Sequence, residues 1–293
     1  MSKLSKIIEY NLKRGHRSYV DDKDEADKHL KKRSLEEDEI YKIPKMIYRT
    51  KVKSKDIFDC QMIVFNESED VEHTIIYIHG GAYVNEIRRP HIYFCDKIAK
   101  EVNACVFAPI YPLAPNHTYE ETYKIVEELY RFALDIGKPI TVMGDSAGGG
   151  FSAAFCQYLL EKQLPQPDHL ILISPWVDVT MSGDYGEYAK KDPMLGIDGL
   201  REIGASWAGD LNPKDYRISP MFGDMSGLPE TTLFVGTHEI LYPDIVNFYE
   251  KLIENDVNAR LFVGDEMTHV YPIYPLVPES KEAFKEIVGI IIS

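Results

Sequence analysis

Ile140-Thr141-Val142-Met143-Gly144-Asp145-Ser146-Ala147-Gly148-Gly149-Gly150 is the stretch on which the reading of this chain turns. Four β-preferring, mostly apolar residues run into Gly-x-Ser-x-Gly. A helix-compatible run then begins at Ala147, with Phe151, Ala154, Phe155, Tyr158 and Leu159 at helical spacing. This strand–turn–helix context can present a serine on a sharp elbow. Such a serine sits in strained backbone geometry, so its neighbours two residues away on either side, Gly144 and Gly148, must lack a side chain. The Ser146 Oγ would then stand clear of the sheet, with the N–H of Ala147 pointing at the space above it. The pentapeptide has only three fixed positions, so its weight depends on what surrounds it.

Upstream, residues 74–78 read as a buried strand ending in His79-Gly80-Gly81-Ala82-Tyr83. Gly80 and Gly81 let the backbone turn with its N–H groups outward, the donors that an oxyanion needs in acyl transfer. His79 is expected to fix this loop by hydrogen bonding and not to act as a base. Downstream, His269 is the histidine of interest among nine, just beyond a predicted strand at 260–263. Between serine and histidine, the segment from Gly236 to Asp244 follows a predicted strand at 232–235. Glu239 and Asp244 are both candidate acids to orient a base. Ser146, the Glu239 segment and His269 each follow the carboxyl end of a different predicted strand, where open α/β sheets place their sites.

Further predicted strands are 57–65, 104–110 and 170–174. Predicted helices are 92–101, 118–136, 147–162, 243–255 and 281–291. The alternation implies an α/β protein with a mostly parallel central sheet and helices on both faces. Residues 1–47 form a separate mixed-charge segment with helices expected over the first dozen residues and over 29–41. Its apolar stripe of Leu4, Ile7, Ile8 and Leu12 must cover something. The body is then 48–293, with 181–215, rich in Gly, Asp, Tyr and Lys around a helix at 198–207, read as an insertion over the sheet edge.

The 293 residues carry a net charge of −14, and residues 1–46 are nearly balanced with 12 Lys/Arg against 10 Asp/Glu, so the body is the acidic part. That balance argues against nucleic acid or an anionic membrane as partner. No apolar run reaches the length of a membrane span and no signal peptide is visible, so a cytoplasmic protein without membrane insertion is expected. Cys60, Cys95, Cys105 and Cys156 show no metal-like spacing and read as buried free thiols.

These residues together resemble the α/β-hydrolase fold and, within it, the hormone-sensitive-lipase-like carboxylesterases. The resemblance covers roughly 55–293. It rests on His79-Gly80-Gly81-Ala82-Tyr83, Tyr111-Pro112-Leu113-Ala114-Pro115, Gly144-Asp145-Ser146-Ala147-Gly148-Gly149, Ser174-Pro175-Trp176, Ser219-Pro220, the Gly236–Asp244 segment and Met267-Thr268-His269-Val270. It implies Ser146 as nucleophile, His269 as general base, and Glu239 in the place of the family's aspartate, with Asp244 at a second acidic position. The oxyanion donors become the N–H groups of Gly81, Ala82 and Ala147. Ala82 stands where the family usually has glycine, and Tyr83 where it often has tryptophan. Residues 1–47 and 181–215 would form a small helical cap. A small-molecule ester substrate is implied, hydrolysed without metal or organic cofactor. Amides, lactones or N-formyl groups are alternative substrates, a non-catalytic ligand-binding protein is a further reading, and a homo-oligomer stays open. Asp145 is expected to hydrogen-bond near the elbow, Trp176 to pack, and His117 and His238 to lie at the surface or behind the site.

Overall fold

The computed structural model describes residues 1–16, 18–37 and 39–293. The chain runs α1 (Lys3–Arg14), α2 (Lys23–Arg33), β1 (Val52–Ile57), β2 (Cys60–Phe65), β3 (His73–Ile78), α3 (Arg89–Glu101), β4 (Ala104–Pro109), α4 (Tyr119–Ile136), β5 (Ile140–Asp145), α5 (Ser146–Glu161), β6 (His169–Ile173), α6 (Tyr188–Lys191), α7 (Asp198–Ala208), β7 (Glu230–His238), α8 (Tyr242–Glu254), β8 (Ala259–Thr268) and α9 (Pro278–Ile291).

The strands form one sheet in the order β1-β2-β4-β3-β5-β6-β7-β8. Strand β2 is antiparallel to both neighbours and β3 to β8 are parallel. The central strands are buried along nearly their whole length and are mostly apolar because both faces are covered. Ile76, Ile78, Val142, Leu170 and Leu172 pack with α4, α5 and α8. The alternate residues Ile75, Tyr77, Met143, Ile171 and Ile173 pack with α3 and α9. This is an α/β-hydrolase fold, as the resemblance implies.

Two element assignments are corrected. Residues 57–65 are not one strand: Ile57 pairs with Cys60 across a two-residue turn. Phe58 and Asp59 hold φ of +57° and +54° there. The turn lacks the glycine that usually marks such geometry. Nor do residues 29–41 form one helix: 29–33 are the end of α2, 34–37 and 39–41 are not helical, and residue 38 lies outside the described residues. Asp22 caps α2, its side chain accepting from Glu25 N, and the helix ends at Arg33. Further on, the Gln61 amide takes the place of helical partners for Tyr41, accepting from its N–H and donating to its C=O at 2.8 Å each. In α1 the stripe also divides. Ile8 borders Met267, Tyr271 and Tyr274, whereas Leu4 and Ile7 are exposed.

The 181–215 segment lies between β6 and β7, inside the sheet order and not at an edge strand. Helix α7 packs on residues 18–20 closely enough that a Cβ on Gly199 would lie 2.1 Å from the Tyr19 carbonyl oxygen.

Candidate active site

The elbow between β5 and α5 explains its glycines. Ser146 holds φ +52°. A Cβ on Gly144 would approach the carbonyl oxygens of Gly148 and Ile78 to 2.5 and 2.6 Å, and one on Gly148 would meet the Ile78 carbonyl at 2.1 Å. Strand β3 therefore presses directly against the turn, and Ser146 is pushed outward at the carboxyl end of the sheet.

Two other strand ends deliver its partners. His269 follows β8, and its Nε2 lies 2.8 Å from Ser146 Oγ. Its Nδ1 lies 2.6 Å from Glu239 Oε2, beyond β7. Glu239 is fully buried and its other oxygen accepts from Gly236 N at 2.6 Å and Ser174 Oγ at 2.9 Å. Ser174 Oγ in turn accepts from Val270 N at 3.0 Å. One hydroxyl thus ties the acid to the residue after the histidine, a role that the Ser-Pro-Trp sequence did not disclose. Burial disfavours an imidazolium at 269. The Glu239 hydrogen bond and charge, with Asp192 and Asp145, outweigh it and raise the His269 pKa above 6.5. Asp244 is elsewhere, accepting from Tyr185 Oη at 2.7 Å, and burial pushes its carboxyl up to about 6.

The 79–83 loop is held from several sides. Gly81, Ala82 and Tyr83 hold φ of +133°, +53° and +59°. Gly80 N donates to Asp145 Oδ1 at 3.0 Å and Tyr111 Oη to the His79 carbonyl at 2.7 Å. Tyr83 Oη donates to the Ala147 carbonyl at 2.8 Å, and its ring stacks on Trp207 at 4.3 Å. Tyr83 is thus a strut between loop and elbow. Ala147 is in the first turn of α5, where N–H groups lack intrahelical partners.

Asp145 accepts from Tyr77 Oη at 2.6 Å as well as from Gly80 N, and its other oxygen lies 3.2 Å from His91 Nε2. Because His91 Nδ1 accepts from Arg88 N, the Nε2 carries the proton toward Asp145. Burial opposes the charge on Asp145, but His91 and the other donors hold it down at about 2. His91 drew no notice in the sequence, where it stands amid ordinary helix residues. His79 bonds its neighbour's carbonyl through Nδ1 at 2.7 Å, and burial lowers its pKa to about 4. His117 lies beside Glu121 and His238 beside Glu9.

Above Ser146 and His269 lies a cavity of about 380 Å³, bordered below by Gly80, Gly81, Ala82, Asp145 and Trp176, and above by Leu12, Val20, Met194, Leu195 and Leu200. Trp176 therefore packs and also faces the cavity. Among the described residues, no group of three or more His, Cys, Asp or Glu side chains is placed to hold a metal ion. No helix among them is long and apolar enough to cross a membrane.

Residues 75–273 match the model of a family described by its alpha/beta hydrolase fold. An esterase of Acinetobacter venetianus is 32% identical over 219 residues, covering 73% of this chain and 72% of that protein. An acetyl-hydrolase of Streptomyces hygroscopicus is 28% identical over 217 residues, covering 72% and 73%. Among solved structures, a hormone-sensitive lipase from a metagenome library superposes with a TM-score of 0.82 at 26% identity, covering 98% of each chain.

Proposed function

Because this chain belongs to the alpha/beta-hydrolase fold family, among the hormone-sensitive-lipase-like esterases, we propose that it is a serine carboxylesterase acting on short acyl esters through an acyl-enzyme. The observation that carries this reading is the hydrogen-bonded chain from Glu239 Oε2 through His269 to Ser146 Oγ, at 2.6 and 2.8 Å.

Glu239 holds the imidazole with its proton on Nδ1, leaving the Nε2 lone pair toward Ser146. Nε2 takes the Oγ proton as Oγ bonds to the ester carbonyl carbon. The oxygen gains negative charge, which the N–H groups of Gly81, Ala82 and Ala147 receive; each such donor contributes roughly 2.7–4 kcal/mol to the transition state in comparable sites. The imidazolium then gives its proton to the departing alkoxide. A water, deprotonated by the same Nε2, attacks the acyl carbon, and the carboxylic acid leaves as Oγ recovers its proton.

The N-terminal segment and residues 181–215 act as the cap that closes the cavity. Its modest volume and the acetyl-hydrolase relative support short acyl groups. In Ser146→Ala, p-nitrophenyl butyrate turnover should fall on the order of 10⁴- to 10⁶-fold, with loss of fluorophosphonate labelling. Retention of wild-type turnover by that variant overturns the reading. A series from acetate to decanoate tests the chain-length part separately.

A further inference from the structure

Residues 192–196 are where three parts of the molecule meet. Asp192 Oδ2 accepts from Ile240 N at 2.7 Å, and Oδ1 accepts from Met194 N at 2.7 Å and Leu195 N at 2.9 Å. Ile240 immediately follows Glu239, whereas Met194 and Leu195 border the cavity. The N-terminal segment reaches the same loop, with His16 Nδ1 3.2 Å from the Pro193 carbonyl oxygen. From below, Tyr274 Oη donates to Met194 Sδ at 3.4 Å. One carboxylate therefore joins the inserted segment to the loop that carries the acid behind His269.

We propose that Asp192 is a positioning residue, fixing the Met194–Leu195 wall of the cavity in register with the Glu239 loop. The proposal rests on the serine-hydrolase reading above. A carboxylate suits the task because it offers acceptors on both oxygens and no donor, and all three of its partners are N–H groups. Its charge also acts on His269, adding to the effect of Glu239. Asparagine has nearly the same shape but turns one end into a donor. In Asp192→Asn either Ile240 N or the Met194–Leu195 pair must face an NH₂ group.

The test compares wild type, Asp192→Asn and Ser146→Ala on p-nitrophenyl acetate and hexanoate. Arg201→Ala serves as a control. Arg201 braces the inserted segment internally through the Thr180 and Met181 carbonyls. For Asp192→Asn, kcat on acetate should fall about 10- to 100-fold while KM moves less than about threefold. The hexanoate-to-acetate ratio of kcat/KM should shift as well, because the wall moves with the loop. Arg201→Ala should lower the melting temperature and leave both readouts within about twofold of wild type. If Asp192→Asn keeps kcat and ratio within that margin while Ser146→Ala is inactive, the positioning role is wrong and the serine reading stands. If Arg201→Ala reproduces the Asp192→Asn losses, the effect is general loosening and the role is equally wrong. An active Ser146→Ala sinks the serine reading on its own. Should Asp192→Asn fail to fold by circular dichroism, Asp192→Ser, which removes the opposed donor pair, is judged by the same two criteria.

Discussion

The floor of the cavity and its roof are built differently. The floor is three strand ends from the parallel part of one sheet, where Glu239 is fully buried, His269 is nearly so, and Ser146 is held at φ +52° by backbone pressed against backbone. The roof is short helices and loops. Its attachments include side-chain links such as Asp192 to Ile240 and His16 to Pro193. On the proposed function, atoms that must meet within a few tenths of an ångström come from the strand ends, and the wall that would meet the variable part of a substrate comes from the roof. On that reading, floor substitutions should act on kcat and stability, and substitutions in the roof's wall on selectivity, Asp192 being the exception because it is tied directly to the floor at Ile240.

Glu239→Gln should give the largest effect of those that sharpen this contrast. Glutamine can still hydrogen-bond, but it no longer enforces the tautomer or supplies the charge, and kcat should fall on the order of 10⁴-fold. The pH profile gives a second readout. On the proposed mechanism Nε2 must be unprotonated to accept the serine proton, so kcat/KM should fall as pH drops through the His269 pKa. Burial pulls that pKa down, but Glu239, Asp192 and Asp145 raise it, so the acid limb of the wild type should centre above 6.5. In Glu239→Gln the midpoint should move lower. An unmoved midpoint would assign the raised value to the other two carboxylates.

Glycines give the next comparison, through stability alone. Gly148→Ala places a methyl 2.1 Å from the Ile78 carbonyl, with no flexible side chain to yield. It should cost about 3 kcal/mol or more in urea unfolding, or prevent folding, because backbone must move. Gly15 ends α1 at φ −94°, and a Cβ there would meet its nearest neighbour at an ordinary 3.5 Å. Gly15→Ala should be neutral or stabilise by about 0.4–1 kcal/mol, by narrowing the unfolded ensemble. Equal losses at the two positions would break the distinction between a rigid floor and a yielding roof.

The same contrast governs what could be read from the amino-acid sequence. Strands β3 and β5 are buried along nearly their whole length and run into glycine-rich turns, so they appear as mostly apolar runs with a clear end. Ser146 could be placed at the end of such a run without knowing the fold in detail, whereas the Glu239 segment and His269 follow β7 and the partly exposed edge strand β8 and are picked out by strand end and chain order. Between Glu239 and Asp244 local pattern had no preference. What separates them is Ser174, 65 residues before Glu239. The roof was obscure for the same reason. What holds Tyr41 out of a helix is Gln61, 20 residues later, and what Asp192 does depends on Ile240, 48 residues later. The β1–β2 turn was missed because Phe58 and Asp59 adopt positive φ without the glycine that advertises it.

The smallest effect should come from the roof itself. Leu12 is half-buried on the inner side of α1 and borders the cavity together with Leu200 of α7. Truncation in Leu12→Ala lengthens the cavity without touching the strand ends. Full burial of extra methylenes in an apolar pocket is worth about 1–3 kcal/mol, and a half-exposed wall returns only part of that. The hexanoate-to-acetate ratio of kcat/KM should therefore rise about two- to fivefold. Most of that change should lie in KM, because an isopropyl group removed from α1 leaves the proposed proton path between Glu239, His269 and Ser146 as it was. A loss of kcat on every ester, comparable with that of Glu239→Gln, would mean that α1 helps to set the floor geometry, and the division of labour between the two regions would have to be abandoned.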